Sequence, residues 1–344
     1  MSRPIRFGVM LPMWDYHVYE DVTFEQLATM AREAERLRYD YVSVDDHLQR
    51  GRGGRVFESL TTLSALAVLT SRVRLLTTVL CTMYRPPGLV AKMGATIDAM
   101  SGGRLELGIG AGWKQEEAAA YGMPWDGTRG RLDRLEEACQ VILALWTQEE
   151  AHFKGKHYRL DGAACNPRPA QRPHPPLWIG GGGEKRTLRI AAKYADGVNF
   201  AGPGIGGGPK LGPVEYFAHK RNVLHAHCRE VGRDPSNITL SCGINIMLWG
   251  RSRDAVEAGF HGTASHGAIS EPERQRVKST LASAVQTSRE AASLIERYVA
   301  EGATYVTIGR PSLDGLRQFA EDVIPQFRNG SGGGPRPVEK QSHA

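Results

Sequence analysis

The chain has 344 residues, with 43 Lys and Arg against 37 Asp and Glu, a formal charge of +6 and an apolar fraction of 41%. That composition is globular and excludes wholesale disorder, and the length accommodates one large domain or two ordinary ones. No run of five basic residues and no apolar run of 18 residues occurs, which argues against a nucleic-acid arm, a polybasic membrane anchor or a membrane-spanning helix.

Residues 5–11 read as a first strand. Thr23 and Gln26 form a capping box ahead of Phe24, Leu27, Met30, Ala31, Ala34 and Leu37, which recur at helical spacing. A strand follows at 40–45, where Tyr41, Val42 and Val44 are β-formers. Residues 58–70 read as a helix. The run 73–79 reads as a strand buried on both faces. A helix at 89–100, a strand at 104–109 and helices at 114–121 and 129–146 come next. Then follow a strand at 177–180, a helix at 184–195, a strand at 197–201 and a helix at 214–231. A long strand at 238–248, a helix at 288–301, a strand at 304–308 and a last helix at 313–327 complete the series.

Eight strands alternating with helices require right-handed crossovers and a parallel sheet, and eight is the number that closes a (β/α)8 TIM barrel. An open doubly wound sheet is the alternative. The turn after the first strand, Pro12 to Tyr19, lacks the glycines such a fold usually carries there. The barrel is expected over 1–328, with insertions after strands four, six and seven at 147–176, 202–213 and 250–287. The last two are lid candidates. The Gly-rich tail 329–344 reads as disordered.

In a barrel, chemistry gathers where strands end. Strand two ends in Asp45-Asp46-His47, a histidine beside two carboxylates, able to titrate near neutrality or to donate a hydrogen bond. Strand four ends Gly108-Ile109-Gly110-Ala111-Gly112-Trp113, alternate glycines that permit close backbone approach to a ligand but lack dinucleotide spacing. Strand five runs into Gly180-Gly181-Gly182-Gly183, with a helix expected to start at Glu184. Such a nest of N–H groups suits a phosphate, and the absence of a following Lys-Ser/Thr argues against an ATP or GTP loop. His219, His225, His227 and Cys228 do not share one helical face, so a metal site is not expected. The five cysteines lack C-x-x-C spacing, consistent with reduced thiols in the cytoplasm. The N-terminal apolar stretch, broken by Pro12 and Asp15, does not read as a secretory signal.

Taken together these segments resemble the bacterial luciferase-like flavin and deazaflavin oxidoreductases, over about residues 4–328. The resemblance rests on Phe7-Gly8, Asp46-His47-Leu48, Arg72 to Leu75 leading into Thr78-Val79, Leu105 to Trp113, Pro176 to Gly183, Ala192 to Gly197 and Phe319 to Phe327. It implies a barrel that binds its cofactor at the C-terminal mouth, with the phosphate near Gly180–Gly183. Asp46 and His47 match the Asp-His pair beside the reactive ring in the branch that uses coenzyme F420. Thr78-Val79 matches a non-prolyl cis peptide that supports the ring, and Ala111 and Gly112 fall on the cofactor wall.

The sugar-phosphate dehydrogenases of the family carry a Glu acid/base at the position matched here by Trp113. A Trp cannot exchange protons at neutral pH. Glu116 and Glu117, one turn on, are alternative carboxylates, and the departure favours a less polar substrate. The expected catalytic residues are therefore His47, Asp46 and Glu117, with Trp14 and Trp113 lining the substrate pocket. The expected activity is hydride transfer between coenzyme F420 and a small organic substrate, in a homodimer. The alternatives are an FMN-dependent monooxygenase supplied by a separate reductase, and a catalytically silent flavin-binding protein.

Overall fold

A computed structural model describes residues 4–13, 22–49, 55–200, 211–246, 249, 284–309 and 311–328. Its elements in chain order are β1 (Arg6–Met10), α1 (Phe24–Arg36), β2 (Tyr41–Val44), α2 (Ser59–Leu69), β3 (Arg74–Thr77), β4 (Leu80–Cys81), α3 (Pro87–Met100), β5 (Leu105–Gly110), α4 (Gln115–Ala120) and α5 (Thr128–Thr147). There follow β6 (Ala151–Lys154), β7 (Arg159–Ala163), β8 (Leu177–Gly180), α6 (Thr187–Tyr194), β9 (Gly197–Asn199), α7 (Pro213–Glu230), β10 (Thr239–Asn245), α8 (Ser288–Ala300), β11 (Tyr305–Gly309), α9 (Leu313–Asp322) and α10 (Ile324–Arg328).

Eight of these strands form a closed parallel ring in the order β1-β2-β3-β5-β8-β9-β10-β11, and β11 pairs back onto β1. This is the (β/α)8 barrel. Because all eight run the same way, the segments that follow β2, β3, β5 and β8 emerge at one mouth.

Strand alternation divides each strand between the helix layer and the barrel interior. Outward residues such as Val42, Leu75 and Val306 join the main core. The interior is built differently. Near the strand starts Arg74 pairs with Glu106, which also accepts the Tyr305 hydroxyl at 3.0 Å. Above this lie the Tyr41 and Trp178 rings, which leave no room for a Cβ at Gly8 or at Gly197 respectively. Glycine on one strand is thus the hole for an aromatic ring on the next.

The Thr23–Gln26 capping box is present, with Gln26 N–H donating to Thr23 Oγ1 at 3.3 Å and Thr23 N–H donating to Gln26 Oε1 at 2.8 Å. Several elements differ from the sequence reading; the strand read over 73–79, for one, ends at Thr77. The last helix is broken at Val323 because Pro325 cannot continue the hydrogen-bond ladder. The helix expected from Glu184 begins at Thr187, after a turn. The insertion 147–176 holds an antiparallel hairpin of β6 and β7, its turn fastened by Glu137 of α5, which accepts the N–H groups of Lys156, His157 and Tyr158 at 2.8–3.0 Å. The hairpin lies between α5 and β8. The lid candidates at 202–213 and 250–287 fall mostly, and the tail 329–344 entirely, outside the described residues. No described helix is long and apolar enough to cross a membrane.

Candidate active site

The mouth is shaped first by a peptide bond. Thr78-Val79 is cis. Val79 lies against the next two strands, where a Cβ at Gly108 or Gly110 would sit 2.9 Å from its methyls and a Cβ at Gly180 would sit 2.6 Å away. The alternating glycines of β5 therefore make room for Val79. Gly112 has a left-handed φ of 73°, and a Cβ there would also meet the Cys81 sulfur and, at 3.2 Å, the Trp125 ring.

Asp46 is buried, and both its oxygens are occupied. Oδ1 accepts from Ser59 Oγ at 2.9 Å, Oδ2 accepts from the Cys81 N–H at 2.8 Å, and Arg85 donates to each at 2.9 Å. Arg85 also donates to Glu58 at 2.5 Å, and Glu58 caps the start of α2. Asp46 thus ties together the ends of β2, α2 and β4.

His47 turns instead to Glu117. Its Nδ1 lies 3.0 Å from both carboxylate oxygens. Glu117 is fully buried, accepts the Tyr84 hydroxyl at 2.8 Å, and has Lys114 Nζ at 3.3 Å. Burial pushes its carboxyl up, but the hydrogen bond and charge of His47, the Tyr84 hydroxyl and Lys114 together outweigh this and hold it at about 2. A carboxylate only accepts, so Nδ1 carries the proton in this pair, which leaves Nε2 as the ring nitrogen that can exchange one. The Trp113 ring stands edge-on to the imidazole, 5.9 Å between centroids, and is half-exposed.

Helix α4, which supplies Glu117, is too short to be stable alone. It is held by an apolar cluster of Cys81, Met83, Tyr84 and Ala118, flanked by Leu48, Met123 and Trp125.

The glycine run does not form one uniform nest. Gly181 N–H donates to Asn199 O at 3.0 Å, inside the barrel wall, and Gly180 serves Val79. Among the described residues no partner meets the N–H groups of Gly182 and Gly183, so the nest expected over Gly180–Gly183 narrows to these two as available donors. The acid that follows would repel a phosphate, but Glu184 is drawn onto α7. It accepts from the buried Lys220 at 2.6 Å and has His219 Nε2 at 3.0 Å, which hold its carboxyl below the usual range. His227 Nε2 lies 2.8 Å from the Glu184 carbonyl oxygen. Two of the α7 histidines thus buttress the turn.

The structure therefore gathers Asp46, His47, Thr78, Val79, Ala111, Gly112, Trp113, Glu117 and Gly180–Gly183 at one mouth. Trp14 lies outside the described residues. Sequence reasoning missed Arg85, Tyr84 and Lys114. Arg85, ahead of two prolines and the next helix, offered the one signal: a charged residue where a strand-to-helix loop returns to the mouth.

The parallel eight-stranded barrel, with a histidine–carboxylate pair and the Gly182–Gly183 turn at one mouth, places the chain among (β/α)8-barrel enzymes. The chain belongs to the luciferase-like monooxygenase family, whose model matches residues 5–312. It is 30% identical over 322 residues to the F420-dependent glucose-6-phosphate dehydrogenase of Kineococcus radiotolerans, covering 88% of this chain and 93% of that one. It is 30% identical over 207 residues to the FMNH(2)-dependent dimethylsulfone monooxygenase of Pseudomonas putida, 57% of this chain and 56% of that one. The fold matches an F420-dependent secondary alcohol dehydrogenase solved with an F420-acetone adduct, at 23% identity and a TM-score of 0.76, over 95% of this chain and all of that one.

Proposed function

We propose that the protein is a coenzyme F420-dependent oxidoreductase that transfers a hydride between this cofactor and a small organic substrate. The observation that carries the reading is the His47–Glu117 pair, at the same mouth as the turn of Gly182 and Gly183. The residues present fit the cofactor: two adjacent N–H groups with no partner among the described residues suit a phosphate, and Val79 offers a flat ring an apolar support. When bound, F420 supplies a two-electron hydride carrier. Gly182 and Gly183 would hold its phosphate, while Thr78, Val79, Ala111 and Gly112 would line its ring. Glu117 keeps the proton of His47 on Nδ1, leaving Nε2 to accept or deliver a proton as hydride moves. Asp46 holds the segment that carries His47. Trp113 shields one side of the imidazole.

The second reading, an FMN-dependent monooxygenase served by a separate reductase, draws on the dimethylsulfone monooxygenase relative. Equilibrium titration with F420 and FMN, each oxidised and reduced, separates the two. Tight binding of F420 with weak binding of FMN is expected, and the reverse would overturn the assignment. We place the enzyme in the cytoplasm, in keeping with its five buried, unpaired thiols. We also propose a homodimer formed through the neighbouring helices α2 and α3, which expose Val68, Leu89 and Met100. Light scattering that returned a monomer would refute this.

A further inference from the structure

The barrel interior is filled unevenly. On the side of β3, β5 and β8, Val79 packs against three glycines. On the opposite side, β9, β10 and β11 turn Asn199, Ser241, Gly243, Asn245, Thr307 and Gly309 inward, by strand alternation and register. Among the described residues nothing fills the interior there. Gly243 lies in mid-strand between buried Cys242 and Ile244, yet is itself exposed. Among the described residues a Cβ at Gly243 would meet only Thr307 O at 4.0 Å, and one at Gly309 only Ile244 O at 3.6 Å. Neither glycine has a left-handed φ, so backbone conformation does not require them. The hollow has a floor, where the Tyr41 hydroxyl and Thr307 Oγ1 lie 2.8 Å apart. Asn199 is fixed by donating from Nδ2 to Ser241 Oγ at 2.9 Å, and Ser241 Oγ donates on to Val198 O at 3.3 Å.

We infer that this hollow beside Gly243 is the substrate pocket, and that its occupant is a small uncharged molecule bearing a hydroxyl or carbonyl group. The inference rests on the cofactor reading above. Every inward side chain on these three strands is neutral and hydrogen-bonding, or glycine. A charged substrate group entering here would lose its hydration with no opposite charge on these three strands to meet it, whereas an alcohol or carbonyl oxygen finds amide and hydroxyl groups there. The ring support on the Val79 side leaves this side of the throat for the molecule that exchanges hydride.

The test needs no known substrate. The five native thiols are buried, and burial raises the pKa of each, that of Cys81 to about 12, so they react slowly. Gly243→Cys places one accessible thiol in the hollow, and Gly309→Cys on the neighbouring strand serves if the first variant folds poorly. Modification by methyl methanethiosulfonate and by its anionic sulfonatoethyl analogue is followed by intact mass, each rate referred to free cysteine. The neutral reagent is expected to be favoured by about tenfold or more, because the anion must be desolvated. Saturating F420 is expected to leave the neutral rate within about twofold, since a substrate pocket has to stay reachable while the cofactor is bound. Full protection by F420 would place the hollow under the cofactor and overturn the inference, as would equal rates for the two reagents. Failure of F420 to bind the native chain would instead overturn the cofactor reading alone.

Discussion

Glu117 and His47, 70 residues apart in the chain, meet with Nδ1 at 3.0 Å from both carboxylate oxygens. The short helix α4 exists to deliver that carboxylate, and its apolar underside is what docks it. Removing the charge while keeping the shape, Glu117→Gln, loosens the tautomer preference of His47. A charge-assisted hydrogen bond contributes about 1.5–3 kcal/mol, so turnover should fall roughly ten- to a hundredfold. Cofactor affinity should stay near that of the native chain. Single-turnover rates beside an F420 titration check both, and an unchanged rate would detach Glu117 from the reaction.

His47→Ala should lower turnover about 10²–10⁴-fold, the usual range for general acid–base assistance. Cofactor affinity should change much less, because the Gly182–Gly183 cradle and the Val79 support remain. A histidine that only lined the cofactor would give the opposite pattern, with affinity lost and saturated turnover retained.

Gly182→Val tests the cradle. Losing one or two N–H contacts to a phosphate should weaken F420 binding by about 1.5–3 kcal/mol for each. The same variant should bind a cofactor fragment lacking the phosphate as the native chain does. Equal loss for both ligands would mean a misfolded loop rather than a lost anion contact.

Arg85→Met leaves the buried Asp46 carboxylate without its two guanidinium bonds. Breaking a buried pair from one side costs about 3–5 kcal/mol, and that loss should appear in urea unfolding. Asp46→Asn in the same chain should recover part of it, since no uncompensated charge then remains. Simple additivity of the two substitutions would argue against the pairing.

The depressed carboxyl of Glu117 also makes an acid-stability prediction. A folded-state value of about 2 against an ordinary 4.5 contributes stability that is fully present above 4.5 and is lost as pH falls toward 2. The contribution is about 3 kcal/mol at most. Glu117→Gln removes the titrating group, so its unfolding free energy should vary less with pH across that window. A native-like slope in the variant would place the acid sensitivity elsewhere.

The local signals are legible in the residues themselves. Thr23 and Gln26 announce a capped helix, β-branched runs announce strands, and strict alternation leaves a closed barrel as the natural outcome. Asp46-His47 stands out because strand ends in a barrel face one mouth. What the sequence does not say is which neighbour each group meets. Asp46 adjoins His47 in the chain, yet successive side chains leave a strand end in different directions. Arg85 therefore reaches the first from one loop and Glu117 the second from another. The glycines make the same point. A glycine reads identically whether it clears space for Val79, as Gly108 and Gly110 do, admits a ring, as Gly8 does, offers an N–H, as Gly182 does, or leaves a hollow, as Gly243 does. Only packing across strands distant in sequence decides among these, because a missing side chain has no chemistry of its own until its neighbours are in place.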